Sequence, residues 1–275
     1  MLCDPFSPAT KDEYAAFEVV EGRPDARLLL LCDHASARVP PELGDLGLPP
    51  SEFDRHIAYD IGMREVTLRL AETLGVPAVL STTSRLVIDP NRGEDDPTLV
   101  MRLSDGAVVP GNARIDAAEV RRRLERYHRP YHDAITARID AMIDAGETPV
   151  VIALHSFTPA WKGRPRPWHA GLLWDRDDRL AKPLLAALEA EGDLVVGDNE
   201  PYDGALKGDT MHRHGTQRGL PHVLVELRQD LVADEAGQAG WAARFARLLP
   251  PILERPEMRR ITHFGSRTDT RRRTP

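Results

Sequence analysis

Residues 149–156 read Pro149-Val150-Val151-Ile152-Ala153-Leu154-His155-Ser156, an apolar and β-branched run that breaks directly onto an imidazole and a hydroxyl. A run apolar at every position, yet only strand-sized, is expected of a strand buried on both faces. The same pattern recurs along the chain. Residues 27–32 (RLLLLC) lead into Asp33-His34-Ala35-Ser36, residues 86–88 (LVI) into Asp89-Pro90-Asn91-Arg92, and residues 223–227 carry Glu226 just before Arg228. Shorter strands are expected at 77–81, 171–174 and 194–196. Helical periodicity fills the intervals over 54–74, 116–145, 178–190 and 235–249. The alternation predicts an α/β three-layer sandwich on a mainly parallel, mixed sheet. In such folds chemistry collects at the carboxyl ends of the strands.

No linker or repeat divides the 275 residues, so one α/β domain is expected over 1–254. A basic tail follows over 255–275, with seven arginines against two acids, and is expected to be mobile. The chain as a whole carries −7, so the body before the tail is strongly acidic, which argues against non-specific nucleic-acid binding. The apolar runs stop far short of the roughly 20 residues a membrane helix needs. No charged-then-apolar leader opens the chain, and a cytoplasmic location is the expectation. Two cysteines, Cys3 and Cys32, make neither a disulfide framework nor a thiolate zinc site. With ten histidines present, a bound metal would rest on imidazole and carboxylate.

His34 and His155 each follow an apolar strand directly. Their matching positions favour metal binding or catalysis over a loop hydrogen bond. His56 and Asp60 are four apart in a helical pattern, so they either converge on one point or form a surface pair. Glu226 sits at the rim of a buried strand, where desolvation suits a general base and Arg228 offers a salt bridge. Arg85 and Arg92 bracket residues 86–88 and suggest an anion site. His128 and His132 share a helix face if Pro130 only kinks the helix, and His212 and His214 are expected in a loop. Phosphate-cradling glycine motifs and a serine elbow are both missing, so nucleotide and serine-hydrolase chemistry lack support.

Taken in order, CDHAS with Arg38-Val39-Pro40, HIAYDIG, SRLVIDPNR, RPYH, HSFTP, NEPY and VELRQDL resemble the motifs of the N-formylglutamate amidohydrolase family. That family is related in fold to the zinc carboxypeptidases and aspartoacylases. The resemblance implies a metal-dependent amidohydrolase acting on a small anionic N-acyl amide such as N-formylglutamate, with one divalent ion, zinc above others. It implies His34 and His155 as ligands and Glu226 as the base that activates water. Arg92 would hold a carboxylate or polarise the scissile carbonyl, and Arg85, Asn91, Ser156 and His214 would bind substrate. The carboxypeptidase relatives draw two ligands from H-x-x-E, but Ala37 stands where that glutamate would be. A third ligand is therefore expected from His56 or Asp60, with Asp33 behind them. The rival readings are a carboxypeptidase-like amidase and a non-catalytic binding protein with a degenerate metal site.

Overall fold

The apolar runs fold as strands covered on both faces. The structure is a computed structural model and describes residues 14–269. Its main sheet comprises β1 (Phe17–Val20), β2 (Leu28–Cys32), β3 (Ala78–Ser81), β4 (Val150–Phe157), β5 (Ala170–Leu173), β6 (Val196–Asp198) and β7 (His222–Arg228). The spatial order is β1-β3-β2-β4-β7-β5-β6. β3, β2, β4 and β7 run parallel, whereas β5 pairs antiparallel with β7 and parallel with β6. β1, which the sequence reading did not anticipate, closes one edge antiparallel to β3.

Successive residues of β2 feed opposite cores. Leu28, Leu30 and Cys32 join Ile152, Leu154, Val223 and Val225 on one face. Leu29 and Leu31 join Val151 and Ala153 on the other. This is the period-two alternation of a pleated strand, and it explains why the run tolerates no polar residue.

The helices are α1 (Met63–Leu74), α2 (Ala117–Arg123), α3 (Arg129–Asp144), α4 (Ala181–Glu189), α5 (Thr210–His214) and α6 (Glu235–Leu253). α1, α4 and α6 cover the first face and α3 the second. Asp116 and Asp234 cap α2 and α6 by accepting the amides of Glu119 and Gly237, the role for which aspartate is favoured at a helix start. Between α2 and α3 the chain stays helical through a π-helical turn over residues 124–128, and this wider turn accommodates Pro130, which has no N–H to donate.

Three expectations are corrected. Residues 86–88 are buried but form a turn rather than a strand. Two of their carbonyls are satisfied by side chains, Leu86 accepting from Asn112 Nδ2 at 2.7 Å and Val87 from Arg123 Nη1 at 2.9 Å. A helix over 54–74 is realised only from Met63. The backbone N–H of Asp60 is drawn to the His34 carbonyl at 2.9 Å, and Gly62 then turns with φ +78°, so the helix cannot begin earlier. A Cβ at Gly62 would lie 2.0 Å from the Val232 carbonyl, which makes this close approach specific to glycine. The tail does not separate from the body at residue 254 either. Met258 is buried, and Arg267 is bound to Asp175 and Asp203 at 2.9 and 2.6 Å. Arg271, Arg272 and Arg273 lie outside the described residues.

Candidate active site

β2, β4 and β7 deliver their polar ends to one place. His34 follows β2, His155 lies near the end of β4, and Glu226 stands opposite His155 in the β4–β7 register. Asp60, in the turn before α1, meets both imidazoles. Its Oδ2 lies 3.1 Å from His34 Nδ1 and 2.8 Å from His155 Nδ1. The three donor atoms fall within 4.8 Å of one another, and all three side chains are buried.

The remote ring nitrogens are taken by two further carboxylates. His34 Nε2 lies 2.7 Å from Asp89 Oδ1, and His155 Nε2 lies 2.8 Å from Asp33 Oδ2. A carboxylate at Nε2 fixes the proton there and turns the Nδ1 lone pair inward, as in carboxylate–histidine–metal arrangements. The donor set thus fits a divalent ion held by two imidazoles and a carboxylate. Asp33 is not available as a third donor. Its Oδ1 already accepts from Tyr131 at 2.9 Å and from Thr210 at 2.7 Å, so it orients His155 from behind.

The electrostatics follow from this interleaving. Burial disfavours charge on every member. Carboxylates at both ring nitrogens nevertheless raise His155 well above and His34 above its ordinary value and the imidazoles lower Asp60 below the carboxylate range, so a divalent ion would take the place of the Nδ1 protons. Arg85 straddles the acids, 3.4 Å from Asp60 Oδ1 and 2.8 Å from Asp89 Oδ2. Ser156 buttresses Asp60 from the other side through its backbone N–H, at 3.4 Å.

His34, Asp60, His155, Glu226, Arg85 and Arg92 line one cavity of about 380 Å³, joined by Asn91 and Ser156. Glu226 is buried with Oε2 unpartnered, and its pKa is pushed up to about 7 by that burial against the pull of His155. Arg92 donates to its neighbour's carbonyl, Asn91 O, at 3.3 Å. Two residues that sequence reasoning left aside also face the cavity. Asp209 caps α5 through Oδ1 and is pushed up to about 7 by burial. Tyr202 stands at the rim with Arg166 over its ring, at 5.1 Å. Residues 202–206 line the cavity, and Arg166 backs them by donating to the Tyr202 hydroxyl at 3.1 Å.

Two expected members are elsewhere. His56 is half-buried beside Asp105, with Nε2 3.5 Å away, and does not join Asp60, because the turn at 55–62 destroys the helical spacing. His214 lies on α5 instead of in a loop and points away from the cavity. Its Nε2 meets His132 Nδ1 at 2.9 Å, and His132 Nε2 donates to the Pro90 carbonyl at 2.9 Å. His128 donates in the same way to the Arg92 carbonyl, at 3.0 Å. These three rings prop the Asp89–Arg92 loop from behind.

A profile of the N-formylglutamate amidohydrolase family matches residues 26–233, which span both histidines, Asp60 and Glu226. The chain belongs to the N-formylglutamate amidohydrolase family. It is therefore a hydrolase of amide bonds. Among solved structures it is similar to the gene product Atu2144 from Agrobacterium tumefaciens, at 36% identity over 89% of this chain and 97% of that one, with a TM-score of 0.83. The N-formylglutamate amidohydrolase from Ralstonia eutropha JMP134 shares the fold, at 24% identity over 88% of this chain and 98% of that one, with a TM-score of 0.63. No protein of curated function matches the chain. Among the described residues no helix is long and apolar enough to cross a membrane.

Proposed function

We propose that this amidohydrolase cleaves the amide of a small N-acyl amino acid, of which N-formylglutamate is the family's namesake, with one divalent ion, zinc by preference. The observation that carries the reading is the convergence of His34 Nδ1, Asp60 Oδ2 and His155 Nδ1 beside the unpartnered Oε2 of Glu226. His34, Asp60 and His155 would hold the ion. The position that Ala37 leaves without a carboxylate is supplied instead by Asp60. Bound there, the ion supplies a Lewis acid that acidifies water and polarises a carbonyl.

The remaining chemistry belongs to the chain. Glu226, desolvated and poised near neutrality, takes a proton from the attacking water and returns it to the leaving nitrogen. Arg92 binds the substrate carboxylate, since among the described residues it has no ion pair, whereas Arg85 is committed to Asp60 and Asp89. Arg85 thereby keeps Asp60 ionised and oriented, and lends positive charge to the side where an oxyanion forms. Asn91 positions Arg92 by accepting the Thr210 amide at 3.2 Å, and Ser156 steadies the Asp60 turn.

Formate release from N-formyl amino acids, N-formylglutamate among them, tests the reading. We expect release from protein loaded with zinc, loss on chelation and recovery on adding the ion back. Metal-independent release, or none from any N-formyl amino acid, overturns it.

A further inference from the structure

Just past β4 the chain folds back in a short hairpin, Ala160–Trp161 paired with Arg164–Pro165, and Arg166 follows it. The Arg166 amide closes the hairpin on the Pro159 carbonyl at 2.8 Å. Its half-buried guanidinium lies over the rings of Phe157, Trp161 and Tyr202, 5.7, 5.6 and 5.1 Å from their centres. Ring faces attract a cation without neutralising it, so the charge stays available. The nearby acids have other partners. Asp203 is bound to Arg267 at 2.6 Å, and Asp230 to Arg228, whose Nη1 donates to the Arg166 carbonyl, at 2.8 Å. The guanidinium makes its hydrogen bonds through Nη1 alone, to Thr158 O at 3.4 Å and to the Thr158 and Tyr202 hydroxyls at 3.1 Å. Nε and Nη2, the edge whose two parallel N–H groups match a carboxylate, have no partner among the described residues.

Tyr202 joins that charge to the cavity, which it lines together with Glu226 and Asp60. Its oxygen accepts from Arg166, so its own proton is left to donate and finds no acceptor among the described residues. Burial first, then the Glu226 and Asp60 carboxyls, raise the phenol above its ordinary value against the pull of Arg166, and the hydroxyl stays protonated. In sheet order, β2 and β4 lie between β3, whose following loop bears Arg92, and β6, whose following loop bears Tyr202. Two cations without ion pairs, Arg92 and Arg166, thus reach the site from separate loops.

We propose that Arg166 and Tyr202 form a second carboxylate-binding pair, which takes the side-chain carboxylate of a substrate whose other carboxylate Arg92 holds. The inference rests on the amide-hydrolysis reading above and assigns the residues that set its side-chain specificity. Arg166 supplies the charge and its open edge, and Tyr202 the donor that faces the cavity. Neither touches the scissile amide, so the pair acts through binding.

The test compares N-formyl-L-glutamate with its neutral isostere N-formyl-L-glutamine on the metal-loaded enzyme. We expect kcat/KM to favour glutamate by at least about tenfold, the lower end of what hydrogen bonds to a charged group are worth. Arg166→Gln is expected to raise KM for the glutamate substrate about tenfold and to bring the ratio close to one, and Arg166→Lys to restore part of it. Tyr202→Phe, which keeps the ring under the guanidinium and removes the donor, should lower the ratio by a smaller factor. A ratio unchanged in Arg166→Gln, or an equal loss on both substrates, overturns the inference, because a residue that merely supports the hairpin would not distinguish them. Either result leaves the hydrolase reading standing, whereas no formate from either substrate overturns that reading. Calorimetry with the product amino acids then tests the pair without turnover. The parent is expected to bind L-glutamate about tenfold more tightly than L-glutamine and Arg166→Gln to lose that preference. Equal affinities in the parent overturn the assignment.

Discussion

The protein buries two groups of histidines that are opposite in character. His34 and His155 stand edge to face, 4.9 Å between ring centres, with carboxylates at both nitrogens of each ring. His132 and His214 are stacked at 5.2 Å, and His128 lies 4.5 Å from His132. Around these three the hydrogen-bond partners are backbone carbonyls and one another. Burial disfavours the charged form in both groups. Carboxylates reverse that outcome in the first group, whereas the second is left neutral, with His214 pushed down to about 3. A buried histidine is thus held charged or kept neutral according to the charge of its partners. Depth alone does not decide it.

The sharpest way to break the contrast is to remove the carboxylate shared by the first pair. Asp60→Ala should lose the ion and with it on the order of 10³-fold or more in kcat/KM, read by metal analysis alongside turnover. Glu226→Gln should separate binding from chemistry. Metal content stays near one ion per chain while kcat falls roughly 10²- to 10⁴-fold, the usual worth of a general base. If Glu226→Gln turned over normally, the assignment of the base would be wrong. Asp89→Asn tests the outer carboxylate of His34. Metal affinity should weaken about 10- to 100-fold, measured by competition with a chelator.

Much of this site was legible because it lies at strand ends. The runs before His34 and His155 are apolar on consecutive positions, and both fold as strands buried on both faces. Glu226 was legible for the same reason. The carboxylates behind the histidines were not, since Asp89 and Asp33 reach their partners across 55 and 122 residues of chain. Spacing misled at Asp60. The residue belongs to the site, but a turn presents it in place of the expected helix face, and His56 consequently drops out. Residues 86–88 misled in the opposite sense. Their apolar pattern is that of a strand, yet Asn112 and Arg123 take the carbonyls a neighbouring strand would have used. In the tail, composition suggested solvation, but Met258 and Arg267 each find a specific partner in the body.

The smallest predicted effect sharpens the contrast without touching the metal. Unfolded imidazole titrates near pH 6.5, roughly. His214 resists protonation in the fold until about pH 3, because burial dominates its surroundings. As pH falls below about 6.5 the unfolded chain takes up a proton that the folded chain refuses, so stability declines down to the folded value and is unaffected above about 7. His214→Gln keeps a donor for His132 Nδ1 and removes that titration. Between pH 7 and 5.5 the variant should lose on the order of 1 kcal/mol less stability than the parent in urea titrations, with metal content unchanged. The strand-end pair has the opposite sign in chelated protein. With His34 and His155 raised by their carboxylates, their contribution is full below about pH 6.5 and is lost as pH rises through the raised values. Chelated His214→Gln should therefore retain the strand-end pair's gain in stability on acidification while shedding part of the loss. A variant whose acid sensitivity matched the parent's would show that the prop histidines do not titrate in this way.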